Sequence, residues 1–77
     1  MYILRSVKYP EQTYIGVTGD LRRRLRQHNR GESEYTSQFI PWKLETYIVF
    51  SDREKAEAFE RYLKKGGGWR FAKRRLI

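Results

Sequence analysis

At 77 residues the chain has room for one small domain, close to the size at which a single core is only just sufficient. It holds no cysteine and no long apolar run, which excludes a disulfide framework, a thiolate metal site and a membrane-spanning helix as sources of stability. Its 17 Lys and Arg against 9 Asp and Glu leave a formal charge of +8, a field that favours polyanions over a merely solubilising role because the basic residues stand in blocks interleaved with aromatics. No charged segment followed by an apolar stretch and a small-residue cleavage site opens the chain, so a cytoplasmic single domain over residues 1–77 is expected.

Tyr2 to Val7 and Thr13 to Thr18 are both rich in tyrosine, isoleucine and valine and are separated by a turn containing Pro10, the pattern of a β-hairpin. Gly19-Asp20 ends the second strand, and Asp20 is a good N-cap for a helix over Leu21 to Asn29, with Gly31 as its stop. Leu21, Leu25 and His28 fall at i, i+4 and i+7 and share one face, with Arg24 at its edge. Arg22, Arg23, Arg26 and Arg30 are left for the flanks, where they hold phosphates or are simply hydrated. Glu32 to Trp42 is polar, ends near Pro41 and reads as a connecting loop. Leu44 to Phe50 reads as a third strand. Ser51 and Glu54 form an S-x-x-E capping box for a helix to about Lys65, whose buried stripe is Ala56, Phe59 and Leu63. Gly66-Gly67-Gly68 reads as a C-cap and hinge, not as a phosphate-binding loop, because neither the spacing nor the following Lys-Ser/Thr is there. Trp69, Ala72 and Leu76 then keep helical spacing in a short basic closing helix with Arg70, Lys73, Arg74 and Arg75.

Glu60 falls on the apolar side of its helix, where an unpaired carboxylate is costly. One reading is an i,i+4 pair with Lys64, and the other is a cation ligand. Hydrolysis of a phosphodiester needs an activated water, a cation facing the phosphate and commonly a metal, and the chain has a candidate for each. Tyr2 or Tyr14 can orient or deprotonate the water, Arg24 can stabilise the growing charge, His28 can move a proton or bond a phosphate, and Glu60 can hold Mg²⁺ or Mn²⁺. Each has a plainer reading: the tyrosines as cross-strand packing with a hydroxyl pKa of about 10, His28 as a hydrogen-bonded core residue, Arg24 as one more phosphate anchor. Tyr35, Phe39, Trp42 and Trp69 read either as core or as stacking platforms for bases.

Tyr2-Ile3-Leu4-Arg5-Ser6, Tyr14-Ile15-Gly16-Val17-Thr18, Asp20-Leu21, Arg24 with His28-Asn29, Tyr35-Thr36, Pro41-Trp42-Lys43-Leu44, and Ala58-Phe59-Glu60 leading to Leu63-Lys64 stand in an order that resembles the GIY-YIG nucleases over nearly the whole chain. The similarity is greatest to small bacterial excinuclease-like endonucleases. It implies an α+β fold, a three-stranded antiparallel sheet flanked by helices, with the active site on one face of the sheet. It implies that Tyr2, Tyr14, Arg24 and His28 are catalytic, that Glu60 holds the metal, and that a metal-dependent DNA endonuclease of repair or recombination is to be expected. Phosphate contacts are assigned to Arg22, Arg23, Arg26, Arg30, Lys64, Arg70, Lys73 and Arg74. The alternative is a noncatalytic module that binds DNA or RNA with the same fold. Met1 stands where the family has isoleucine or valine, with no glycine ahead of it, so looser strand pairing is expected at that edge. A late asparagine of the family has no counterpart after Glu60, which leaves Lys64 in its place.

Overall fold

In the computed structural model, which describes residues 1–77, the apolar run Tyr2-Ile3-Leu4 lies in the middle of a three-stranded antiparallel sheet. Strand β1 (Tyr2–Ser6) is flanked by β2 (Thr13–Gly16) on one side and by β3 (Trp42–Tyr47) on the other. Both faces of the sheet are covered, so the central strand is apolar without alternation. Met1, Ile3 and Ile15 point to one face, where they meet Leu63 and Ala72 from two helices, α2 (Arg53–Leu63) and α3 (Gly66–Arg75). Tyr2, Leu4 and Trp42 point to the other, where Leu21 and Leu25 of α1 (Leu21–Asn29) and Phe39 close over them. Ile3, Leu4 and Leu63 are fully buried, worth about 1.5–3 kcal/mol each. The α+β arrangement expected from the resemblance is the one observed.

The pairing expected to loosen at Met1 is intact. Met1 N donates to Ile48 O at 3.0 Å and Ile48 N donates to Met1 O at 2.9 Å, so the ladder with the third strand runs on past Tyr2. The Tyr2 half of the motif thus sits on the central strand and not at an edge. The register against β3 slips between Ile3 and Leu4, which face Thr46 and Leu44, so Glu45 is the extra residue of a bulge.

Several boundaries differ from those expected. β2 stops at Gly16, which releases Val17 to Gly19 to carry the chain into α1. β3 begins at Trp42 because Asn29, at the end of α1, holds both backbone groups of that residue, donating to its carbonyl and accepting from its N–H. Its regular part ends at Tyr47; Ile48 still pairs with Met1, and the side chains of Ile48 and Phe50 pack on the cluster of Met1, Ile3, Ile15, Leu63 and Ala72. Helix α2 is capped by Asp52, whose carboxylate accepts from Lys55 N at 2.8 Å, and not by Ser51; a carboxylate one residue later is the stronger partner for the free N–H groups. Asp20 caps α1 as expected, accepting from Arg23 N at 3.1 Å. Gly31, with φ of 79°, ends α1 in a Schellman turn: Glu32 N donates to Gln27 O and Gly31 N to His28 O.

The loop over residues 32–41 contains a 3-10 helix, Thr36–Phe39, that brings Thr36 into the interior. The three glycines do not form a hinge. Gly66, with φ of 59°, turns the chain, and α3 begins there. Gly68 is buried against α2, where a Cβ would lie 1.8 Å from the carbonyl oxygen of Tyr62.

Candidate active site

Tyr2 faces Gly16 directly across the β1–β2 ladder. A Cβ on Gly16 would stand 2.6 Å from the Tyr2 hydroxyl oxygen and 2.7 Å from Cζ, so only glycine lets the phenol ring cross the neighbouring strand. The ring carries the hydroxyl across Gly16 to a surface that α1 and α2 both border. There a polar cleft of about 430 Å³ opens, with Tyr2, Tyr14 and Gly16 from the sheet, Arg24 from α1, and Arg53, Glu57, Glu60 and Arg61 from α2.

His28 stands behind Tyr2 and is fully buried. Its Nε2 lies 3.0 Å from the Tyr2 hydroxyl and its Nδ1 lies 2.7 Å from Thr36 Oγ1. The Thr36 hydroxyl has a further acceptor in the Ser33 carbonyl, so the network assigns the proton to Nδ1, which donates to Thr36 while Nε2 accepts from Tyr2. The Tyr14 ring packs on the imidazole with centroids 4.9 Å apart and lies 6.3 Å from the Tyr2 ring. The plainer readings of these residues are therefore also realised: His28 is a satisfied core histidine, and the tyrosines pack together.

Burial pushes the Tyr2 hydroxyl above the ordinary value of 10.0, against the hydrogen bonding and charge of the facing Arg24, which pull it down. Burial, then the charge of Arg24, pushes His28 below its ordinary 6.5. The pair is consequently neutral at neutral pH. Arg24 is itself raised, first by hydrogen bonding to Tyr2, and it is steadied by Gln27, whose side-chain oxygen accepts from Nη1 at 3.1 Å.

Glu60 is at the margin of the apolar stripe, with its side chain 21% exposed. Its Oε2 accepts from Lys64 at 3.1 Å, and its Oε1 receives no hydrogen bond from the protein. Glu57 is bound in the same way by Arg53 at 3.1 Å. Two carboxylates beside phenol oxygens are hard donors suited to Mg²⁺ or Mn²⁺. No three His, Asp, Glu or Cys side chains gather into a full ligand cluster, so most of such an ion's shell is left to water and phosphate.

Tyr2, Tyr14, Arg24 and Glu60 thus line one cleft, with His28 one hydrogen bond behind it. The basic residues expected to bind phosphate lie outside this lining, on exposed flanks of α1 (Arg22, Arg23, Arg26, Arg30) and α3 (Arg70, Lys73, Arg74). Arg30 is paired with Glu32, Lys64 with Glu60, and Lys73 sits over the Trp69 ring. Trp42 and Phe39 belong to the core, whereas Tyr35 is half exposed. Sequence reasoning missed Arg53, Glu57 and Arg61, which follow Glu60's face of α2 at helical spacing; the signal was a charged stripe beside the apolar one. Thr36 stood in the motif order beside Tyr35 but was given no role, because its contact with His28 has no local signature. A larger, mostly apolar groove of about 460 Å³ lies on the other side of Tyr2. Its one carboxylate, Asp52, is engaged in the helix cap, whereas the polar cleft gathers two carboxylates and three arginines.

Fold and cleft together define a small α+β domain whose central strand aims a buried tyrosine into a cleft edged by arginines and carboxylates. The GIY-YIG catalytic domain matches residues 1–68, and the chain belongs to that family. It is 43% identical over 63 residues to the structure-specific endonuclease subunit SLX1 of Malassezia globosa, covering 77% of this chain and 14% of that protein. It is 45% identical over 65 residues to the slx1 subunit of Talaromyces marneffei, covering 77% of this chain and 17% of that one. A UPF0213 protein of Streptococcus pyogenes is 39% identical over 66 residues, with 84% of this chain and 70% of the relative covered. The chain therefore spans less than a fifth of the SLX1 relatives. No solved structure matches it. No helix is long and apolar enough to cross a membrane.

Proposed function

We propose that this chain is a DNA endonuclease domain, dependent on Mg²⁺ or Mn²⁺, that hydrolyses phosphodiester bonds in DNA repair or recombination. The observation that carries the reading is the convergence of Tyr2, Tyr14, Arg24 and Glu60 on one cleft with His28 bonded to Tyr2, in a chain of the GIY-YIG catalytic domain family. The names of the SLX1 relatives, structure-specific endonuclease subunits, support it.

Tyr2 acts as the water-activating base. Its hydroxyl donates to neutral His28, so Tyr2 can take a proton from water as its own passes to Nε2, and no free phenolate accumulates. The imidazolium then formed keeps its Nδ1 proton on Thr36. Tyr14 has no such proton acceptor among its hydrogen bonds, and its place beside Arg24 suits orientation of the phosphate. Arg24 faces the charge that builds on the phosphate oxygens, with Arg53 and Arg61 completing a positive rim. Glu60, through its free Oε1, and Glu57 beside it would hold the divalent ion, which when bound supplies Lewis-acid neutralisation of the phosphate.

The test is incubation of the purified chain with supercoiled plasmid and branched DNA, in Mg²⁺, Mn²⁺ or excess EDTA, beside Glu60→Gln and Arg24→Ala. Cleavage is expected in either metal and not in EDTA, with both variants slowed about a hundredfold or more. Cleavage that survives both substitutions overturns the site assignment. Tight, salt-dependent binding with no cleavage of any substrate would establish the noncatalytic module instead.

A further inference from the structure

The cleft does not end at Tyr14. On that side a second cavity, of about 250 Å³, is lined by Tyr14 together with Tyr35, Trp69 and Lys64. Tyr35 is 50% exposed, and its hydroxyl makes only a long 3.4 Å bond to Gln12, so its ring is available to a ligand. The Tyr14 and Tyr35 rings stand 6.4 Å apart and 34° from parallel, so a planar group stacked on Tyr35 also meets Tyr14. Lys64 joins the two cavities: its ammonium bonds Glu60 in the cleft, while its residue lines the aromatic one. An aromatic recess with a cation at its mouth, on a chain of charge +8, is complementary to a nucleobase and its phosphate.

We infer that this second cavity receives one unpaired base of the strand whose phosphate occupies the cleft. The inference rests on the nucleic-acid reading of that cleft. The base stacks on Tyr35 against Tyr14 and Trp69, and Lys64 meets the phosphate between base and cleft. A base held in a duplex must leave its pair to enter, so the site favours DNA that already has an unpaired nucleotide next to the cleavage point.

The experiment measures binding without turnover, using Glu60→Gln protein in EDTA. One probe is a hairpin duplex with a single-stranded overhang whose first unpaired base is 2-aminopurine, and the other is the same duplex with a blunt end. Tighter binding of the overhang and quenching of its fluorescence are expected. Tyr35→Ala should remove the quenching and weaken overhang binding about tenfold, the loss of one stacked base, while leaving blunt-duplex binding unchanged. Tyr35→Phe, which keeps the ring, should behave like the parent. Equal binding of the two probes, or equal weakening of both by Tyr35→Ala, overturns the inference. Because no cleavage enters these readouts, the subsite can stand if the nuclease reading fails, and the reverse.

Discussion

Tyr2 is only 2% exposed, yet it lines the polar cleft, and this combination decides what substitutions there should do. Tyr2→Phe keeps the ring across Gly16 and removes only the oxygen. Cleavage should fall by about two to four orders of magnitude, the range of a lost general base, while the far-ultraviolet circular dichroism spectrum is unchanged. If Tyr2 passes its proton to His28 as proposed, the acid limb of the pH–rate profile should follow His28, which has to be neutral to accept that proton. The same residue ties folding to pH. Its folded value lies below 6.5, so the unfolded chain binds the proton more readily, and stability present above about pH 6.5 is lost as pH falls from there toward the folded value. A denaturant midpoint that does not fall between neutral and mildly acidic pH would contradict this. Thr36→Val takes away the partner of Nδ1 and should both lower the melting temperature and shift that acid limb. A purely packing role for Thr36 would move the first and not the second.

Helix α2 serves two surfaces at once. Ala56 and Leu63, with Phe59, hold it to the sheet, while Arg53, Glu57, Glu60 and Arg61 on the adjoining face build one wall of the cleft. Its rotation about its own axis therefore sets the position of Glu60, and the packing against α3 controls that rotation. Gly68 is the tightest point of this packing. A methyl group there meets backbone that cannot yield without moving the helix, so Gly68→Ala should destabilise by about 1–3 kcal/mol, the usual range for overpacking. Cleavage per folded molecule should drop as well, and calorimetry beside an assay normalised to folded protein separates the two effects. Gly67→Ala, whose Cβ meets only the far end of Arg70, is the matched control.

The charge of +8 is spread unevenly over the surface. Arg22 and Arg26 on α1 and Arg70 and Arg74 on α3 are exposed and carry no ion pair, whereas Arg30 and Lys64 are paired. If α1 carries the phosphate track leading to Arg24, Arg22→Ala with Arg26→Ala should weaken DNA binding uniformly across sequences. The slope of log affinity against log salt should become shallower by about one for each phosphate that is no longer neutralised. Anisotropy titrations at several salt concentrations measure it, and an unchanged slope removes α1 from the track.

Much of this molecule was legible in its residues because the signals were local or ordered. Asp20 and Gly31 bracket α1 through caps that need only their own helix, and the motif order from Tyr2 to Glu60 led to the family and the sheet. The four cleft residues expected from the sequence come from four separate elements, β1, β2, α1 and α2, and the family pattern, not their spacing, brought them together. Other features depend on the meeting of distant segments, which periodicity does not encode. Ser51 and Asp52 are both competent caps, and only the packed helix chooses Asp52. Gly68 looks like a hinge until α3 lies against Tyr62, and Thr36 looks like loop until its 3-10 turn carries it to His28. The polar stripe of α2 becomes a wall only because α1 and the end of β2 face it. Local propensity and motif order specify which elements form, whereas close approach across the chain places a proton acceptor behind Tyr2 and a carboxylate in front of it.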